Sequence, residues 1–369
     1  MLKSKCEKFP VRPCIMIGVL VCLLLTTNFI QNGVSQPRNR WNSIQEMNAF
    51  FERHFARENE TTLEEWDRSL PTSQEREEIS GLIQYLMSLE HFNGITAQKV
   101  LQFYPMIRNY VNISFFDDRY AVIHELIKDG EEIRPFCRFW GYVVIASRNH
   151  ARYPRIHHSS PHFESDGNVG NQSAVIFEKT GGRSLVIAGA SRYTVIGTPT
   201  NPCQSQYAIA DAAHNNWTMF HTFNEAIYNA SKVMALYENH EFDDYFIQWH
   251  GMSEKSCPIS PVFISVGASG KNEIYNNASL MVNKLAEAYG HDAHTPKEDT
   301  NCNLAATTNI FGRIINGVKV HQECSTKADY GDITGHFIHV EQKSAERQDW
   351  EGWINAVDKT FYSYLRLFQ

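Results

Sequence analysis

Short apolar runs that end on polar residues are the feature of this sequence that most restricts its fold. Three of them span Asp244–His250, Phe337–Glu341 and Ser184–Arg192. Strands buried on both faces of a parallel sheet read as nearly continuous apolar runs, and open α/β sheets bind ligands beyond the carboxyl ends of their strands. We therefore expect the polar residues that end these runs to converge, although they lie far apart in the sequence.

The second half of the chain has the sequence pattern of an α/β fold. After Pro135 apolar runs alternate with helical patterns, which predicts a mostly parallel or mixed sheet with helices on both faces. An irregular loop rich in Arg, His and Pro is expected up to His162. The predicted strands cover residues 142–146, 184–189, 244–250, 262–266 and 337–341, and the predicted helices 169–180, 211–237, 277–289 and 350–367.

The region before Pro135 has a helical pattern. Thr61–Glu65 and Ser73–Glu77 read as helix starts with acidic first turns. We assign residues 36–138 to a helical N-terminal region and residues 139–369 to the α/β domain. The sequence leaves open whether the helical region is a lead-in packed on the second half or a lid beside its cleft.

The first 35 residues have the order of a secretory signal. Basic residues at positions 3–12 precede the apolar stretch Cys14–Leu25, which is shorter than the roughly 20 residues that a spanning helix needs. Residues 1–35 are predicted to be a signal peptide cleaved near Ser35, with an uncleaved type II signal anchor as the alternative. Either places the rest of the chain in the secretory lumen or outside the cell.

Sequons and cysteines agree with an oxidising compartment. N-glycosylation acceptor patterns begin at Asn59, Asn112, Asn171, Asn216, Asn229 and Asn277. Beyond the signal segment the cysteines are Cys137, Cys203, Cys257, Cys302 and Cys324. We expect the disulfide bonds Cys203–Cys257 and Cys302–Cys324, and an odd number of cysteines leaves one unpaired or bonded to another chain. A net charge of −7 without a long basic run argues against a nucleic-acid partner.

A histidine-rich segment offers metal ligands. His157–Asp166 contains three imidazoles and two carboxylates. Zinc hydrolases commonly take two ligands from one short segment and a third from a distant strand, which leaves a position for water. His162, together with Asp166 or Glu164, supplies the close pair, and His250 supplies the distant ligand. The sequence therefore predicts a site for one Zn²⁺ ion.

A zinc hydrolase also needs a general base and a group that anchors the substrate. Glu341 ends an apolar strand, which makes it the candidate base, with Glu323 as the second choice. The competing interpretation of Glu341 is a structural salt bridge to Arg347. Arg192 and Arg313 are candidate catalytic clamps for a carboxylate or a developing oxyanion, because a guanidinium offers two parallel donors. Asn309 is a neighbouring donor for substrate binding.

These motifs together resemble a known family. The segments are Pro161–Asp166, Trp249–Met252, Thr308–Arg313, and His339–Gln342 with Arg347 beyond it. Their order is similar to that of the poly-γ-glutamate hydrolase and N-formylglutamate amidohydrolase group of the zinc carboxypeptidase-like superfamily. The resemblance covers roughly residues 140–369.

The resemblance implies metal binding by His162, His250 and the acidic residue after His162, with Glu341 assisting attack by water. It also implies a small or peptide-like substrate that bears a carboxylate, near which His214 is expected to lie. Phe163 stands where the family has glycine, and the sequon at Asn171 follows Asp166 closely. These two features support an alternative hypothesis, a glycosylated extracellular binding or structural domain without catalysis.

Overall fold

The computed structural model describes residues 41–127, 135–290 and 292–365. The expected signal segment, residues 1–35, lies outside these ranges. From Trp41 onward the chain forms one unit. Within the described ranges, no helix has the length and the apolar character needed to cross a bilayer.

Nine strands form a single mixed sheet in the order β1-β2-β3-β5-β4-β6-β9-β7-β8. They are β1 Val111–Phe116, β2 Tyr120–Glu125, β3 Tyr142–Ala146, β4 Tyr153–Ser160, β5 Gly182–Ile187, β6 Tyr245–Gly251, β7 Val262–Ser265, β8 Ala293–His294 and β9 Phe337–Gln342. The centre of the sheet is parallel, because β4 pairs in parallel with β5 and β6, and β6 pairs in parallel with β9. The flanks include antiparallel pairs, β1 with β2, β2 with β3, β3 with β5, and β7 with β9.

Helices cover both faces of the sheet, as the sequence predicts. The α-helices are α1 Ile44–Phe51, α2 Leu63–Ser69, α3 Ser73–Ser88, α4 Ala97–Leu101, α5 Val169–Thr180, α6 Met219–Tyr237, α7 Met281–Tyr289, α8 Ile310–Ile315 and α9 Trp350–Phe361. Apolar residues of α3, α4, α6 and α8 pack in one core on one face. Those of α1 and α5, and of α7 and α9, pack in two further cores on the other face.

Strand residues divide between these cores by the two-residue period of β structure. Val143 and Ile145 of β3 contribute to the α6 face, whereas Tyr142 and Val144 contribute to the opposite face. In β6, Phe246 also lies on the α6 face. His250 is four residues further along the same strand, so it faces the same side.

Local signals for helix ends are confirmed. Thr62 and Thr72 cap α2 and α3, and each forms a reciprocal capping box with the glutamate three residues later. Gly181 ends α5 in the left-handed conformation, with φ of 75°.

Four local expectations are wrong. Residues 111–125 are not helical but form β1 and β2, which belong to the same sheet as the later strands. The sheet therefore crosses the boundary expected at residue 138. The segment expected as a loop before His162 is largely strand β4, and Asp211–His214 forms turns rather than the start of α6. Arg313, whose segment Thr307–Arg313 reads as a loop in the sequence, lies in α8.

The expected disulfide pairing is also wrong. The bonds are Cys203–Cys324 and Cys257–Cys302, with Cα–Cα distances of 4.9 and 4.8 Å. The side-chain amide of Gln204, the residue after Cys203, donates to the carbonyl oxygens of Thr308 and Cys324. These hydrogen bonds hold the two cysteine-bearing loops together. Cys137 is disulfide-bonded as well. Disulfide bonds of this kind are consistent with an extracellular location.

Candidate metal centre

The candidate site lies at the carboxyl ends of the parallel strands in the centre of the sheet. His162 and Asp166 follow β4, and Arg192 follows β5. His250 lies near the end of β6 and is paired in register with Glu341 of β9. The expected convergence of residues distant in sequence is therefore present.

Three buried side chains meet at one point. Oδ2 of Asp166 lies 3.1 Å from Nδ1 of His162 and 3.1 Å from Nδ1 of His250. The ligand atoms of these three residues are mutually close enough to hold a metal ion. Two ligands of a tetrahedral zinc ion, each about 2.05 Å from the metal, are about 3.3 Å apart. The spacing of the three side chains thus suits such an ion.

The outer ring nitrogens of both histidines are held by other residues. Nε2 of His162 donates to Oδ1 of Asp211 at 2.9 Å, and Nε2 of His250 donates to Oε1 of Gln248 at 2.9 Å. A hydrogen on each Nε2 leaves the Nδ1 lone pair for a metal. Nδ2 of Asn309 donates to the same oxygen of Gln248, so Asn309 supports this hydrogen-bond chain.

The arrangement fits a bound cation. With both imidazoles in this tautomer, two lone pairs and a carboxylate oxygen face one another within hydrogen-bond distance. Arg192 donates to Nδ1 of His162, and the backbone amide of Gly251 donates to Oδ2 of Asp166 at 3.3 Å. A proton or a metal ion among the three atoms would remove the repulsion that remains. Histidine nitrogens with one carboxylate are donors that zinc accepts, whereas calcium and magnesium prefer oxygen ligands alone.

The ionisation of the three side chains reflects this contact. Burial and Arg192 lower the pKa of His162, but the carboxylates of Asp166 and Asp211 outweigh them and raise it. Burial favours the neutral form of Asp166, yet His162 and Arg192 hold the pKa of its carboxyl well below the usual range. Burial lowers the pKa of His250. A proton and a metal ion thus compete for the same atoms.

Glu341 lies beside the ligands without a cationic partner in contact. Its side chain is 12 % exposed, and its Oε1 lies 3.6 Å from Nε2 of His339, an imidazole whose pKa burial holds well below the usual value. Burial and the Asp166 carboxylate raise the pKa of Glu341 to about 8. Within the described residues Glu341 forms no salt bridge with Arg347. The structure therefore does not support the competing interpretation of Glu341 as half of a structural ion pair.

Arg192 contacts the acidic part of the site. Its guanidinium donates to Asp166 and to His162, and lies 3.8 Å from Oδ2 of Asp211. Nε donates to Oγ of Ser165 at 2.8 Å. Arg192 therefore lies at the candidate centre, as the sequence predicts, with its donors directed at protein groups.

Arg313 and His214 have other surroundings. The guanidinium of Arg313 donates to the carbonyl oxygens of Thr307, Glu323 and Cys324. It therefore holds the loop after α8 and is not brought to the ligands. His214 stacks on Tyr207 with ring centroids 3.4 Å apart, and burial lowers its pKa to about 4. The charges of His162 and His250 also act on His214, so it borders the cluster without joining it.

The remaining alternatives are placed away from the ligands. Glu164 pairs with Arg57 at 3.3 Å and accepts a hydrogen bond from the backbone of Glu58, so Asp166 is the acid that meets the histidines. Glu323, the second candidate base, is buried and accepts a hydrogen bond from Asn216 at 2.6 Å.

His157 and His158 lie within β4, away from the ligands. His157 contacts Ser184 and Asp244, whereas His158 accepts a hydrogen bond from the indole of Trp249 at 3.2 Å. Both histidines therefore contact side chains of the core and not the candidate ligands.

Neither feature that motivates a non-catalytic domain crowds the cluster. Phe163 is buried against Phe55, with ring centroids 5.0 Å apart. The side chain of Asn171 contacts Asn48 and Asn168 at 2.9 and 2.8 Å rather than the ligands.

Two residues that hold the ligands were assigned no role from the sequence. The sequence pattern could have identified Gln248, because it precedes His250 by two positions and therefore lies on the same face of the strand. Asp211 begins the segment Asp211–His214, which the sequence places beside the cleft, but only the turns after residue 200 bring its carboxylate to His162.

Comparison of the chain with protein-family models and with curated proteins gives no match. The functional conclusion therefore depends on the geometry of the site.

Proposed function

We propose that this protein is a secreted or lumenal zinc-dependent hydrolase that cleaves an amide bond near a carboxylate of its substrate. The observation that carries the proposal is the meeting of Nδ1 of His162, Nδ1 of His250 and Oδ2 of Asp166, with Glu341 beside them. The resemblance to the poly-γ-glutamate hydrolase and N-formylglutamate amidohydrolase group supports the choice of an amide bond.

The residues of the site have two kinds of role, to bind the metal ion and to orient its ligands. His162, Asp166 and His250 would hold one zinc ion, which supplies Lewis acidity that lowers the pKa of water to about 7 and polarises a carbonyl. Asp211 and Gln248 keep the two imidazoles in the tautomer that binds metal.

Glu341 takes a proton from the attacking water and gives it to the leaving amine. Burial and the Asp166 carboxylate raise the pKa of Glu341 toward neutral pH, where a carboxyl group serves well as both base and acid. Arg192 places positive charge where the carbonyl oxygen becomes negative.

The test uses full-length protein purified from a secretory expression host. We expect one equivalent of zinc, and hydrolysis of N-acyl or γ-glutamyl amides of glutamate. Glu341→Gln should retain the zinc and lower kcat by about 10²- to 10⁴-fold, the usual contribution of general acid–base catalysis. Glu323→Gln, the matched control, should keep its activity.

Two results would count against the proposal. Protein without stoichiometric zinc removes the metal site. Protein that binds zinc but leaves every amide of the panel intact supports the alternative, an extracellular domain that binds metal without catalysis.

A further inference from the structure

We propose that Arg347 is the residue that binds the substrate's carboxylate; this inference depends on the proposed function. Neither Arg192 nor Arg313, the two arginines that the sequence suggests for this role, has a guanidinium free to take a substrate. Arg192 donates to Ser165, His162 and Asp166, and Arg313 donates to three carbonyl oxygens.

Arg347 lies where the two ligand segments end. A Cβ built on Gly251 would lie 2.2 Å from Nη1 of Arg347, and one built on Gly167 would lie 3.2 Å from its Cζ. Gly251 directly follows His250, and Gly167 directly follows Asp166. The guanidinium therefore rests on the backbone next to two of the three proposed ligands.

The close approach depends on glycine. The Cβ built on Gly251 would also lie 2.2 Å from the carbonyl oxygen of Asp166, so any side chain at this position would displace the neighbouring groups. The absence of a side chain at Gly251 thus leaves space for a guanidinium beside the candidate metal centre. The turn after β9, in which the amide of Arg347 donates to the carbonyl of Lys343, fixes the backbone from which the side chain extends.

The guanidinium of Arg347 has no hydrogen-bond or ion-pair partner within the described parts of the chain. The residue is half-buried, and its charge is near enough to Glu341 to lower the pKa of that carboxyl. An arginine offers five N–H donors that are well matched to a carboxylate. A half-buried guanidinium with its donors unused, beside a candidate catalytic glutamate, is suited to an anionic group of the substrate.

A pair of inhibitors tests this role without a turnover assay. Hydroxamates bind zinc, so we compare a four-carbon monohydroxamate that ends in a carboxylate with its analogue that ends in a primary amide. Calorimetry on the zinc-loaded, full-length protein gives both affinities. The wild type should bind the carboxylate probe about 10- to 100-fold more tightly than the amide probe, the advantage expected of a charge-assisted hydrogen-bonded pair.

Arg347→Met should abolish this advantage and leave the affinity for the amide probe and the zinc content unchanged. Arg347→Lys should keep part of it, because an ammonium retains the charge but not the two parallel donors. Lys343→Met, which removes a half-buried cation from the same turn, is the matched control and should keep the full preference.

The outcomes separate the two proposals. If neither hydroxamate binds the wild type, the zinc hydrolase proposal is wrong, and the role of Arg347 is lost with it. If both probes bind but Arg347→Met preserves the preference for the carboxylate, the metal site stands and Arg347 is not the anchor. Unchanged zinc content and unchanged binding of the amide probe exclude misfolding as the cause of a lost preference.

Discussion

Oδ2 of Asp166 lies 3.1 Å from Nδ1 of His250, although 84 positions separate the two residues in the sequence. Their contact exists because β4 and β6 are parallel neighbours whose carboxyl ends lie at the same edge of the sheet. Both side chains are buried, and the carboxylate would be costly there without compensation. Arg192 offsets part of this cost by donating to Asp166, and a shared proton or metal ion would offset the rest.

Replacing either member of this pair should remove the metal. We expect Asp166→Asn and His250→Ala to lower zinc affinity by at least about 100-fold, because each removes one of three protein ligands. Elemental analysis and competition with a fluorescent chelator measure the effect. His240→Ala, which changes a histidine away from the site, should bind zinc normally. Full zinc content in Asp166→Asn would show that the acidic ligand is misassigned.

Asp211 should set the metal affinity without touching the metal. Asp211→Asn removes the carboxylate that fixes the tautomer of His162, and such changes typically weaken zinc binding about 10- to 100-fold. Asp244→Asn is a matched control, because Asp244 contacts the buried His157 in the same way at 3.0 Å. We expect the control to lower the unfolding temperature but not the zinc affinity. Equal zinc affinities in the two variants would contradict the role of Asp211.

The sequence predicts the ends of the central strands better than it predicts their surroundings. His250 is chosen as a candidate ligand because it ends an apolar run that forms β6, whereas His162 is chosen for its closeness to Asp166 in a histidine-rich segment, and the strand that precedes it is not predicted. The hairpin of β1 and β2 is missed, since its turn contains Asp117 and Asp118, both with positive φ, instead of the usual Asn-Gly or Asp-Gly.

Partners supplied by distant loops could not be predicted either. Arg313 has the same charge as Arg192, and only the folded loop around Cys324 shows that it binds carbonyl oxygens. Sequence patterns give the faces of strands, but they do not give the neighbours that loops bring in.

Glu125 should make the protein less stable as the pH rises. It is buried and accepts hydrogen bonds from the backbone amides of Arg138 and Trp140, at 2.9 and 3.0 Å. Burial raises its pKa from 4.5 to about 7, so the folded state favours the protonated carboxyl. Stability from this group is fully present below pH 4.5 and is lost as the pH rises through 7.

The corresponding change in unfolding free energy is about 3 kcal/mol, since each pKa unit is worth about 1.4 kcal/mol. Glu125→Gln removes the titration, so the stability of wild type relative to this variant should fall by this amount between pH 4.5 and 8. Urea unfolding at a series of pH values measures the difference. Two curves that stay parallel over this range would mean that Glu125 does not titrate there.

The two disulfide bonds should differ in what they contribute to stability. Cys203–Cys324 closes a loop of 121 residues and Cys257–Cys302 a loop of 45. Loop-closure entropy predicts contributions of about 5 and about 4 kcal/mol, respectively. Replacing both Cys203 and Cys324 with serine also frees the loop that Arg313 and Gln204 hold. We therefore expect this double variant to have a lower unfolding temperature than the double variant Cys257→Ser with Cys302→Ser. Calorimetry of the zinc-loaded proteins compares them, and a larger loss from the shorter loop would show that local packing outweighs chain entropy.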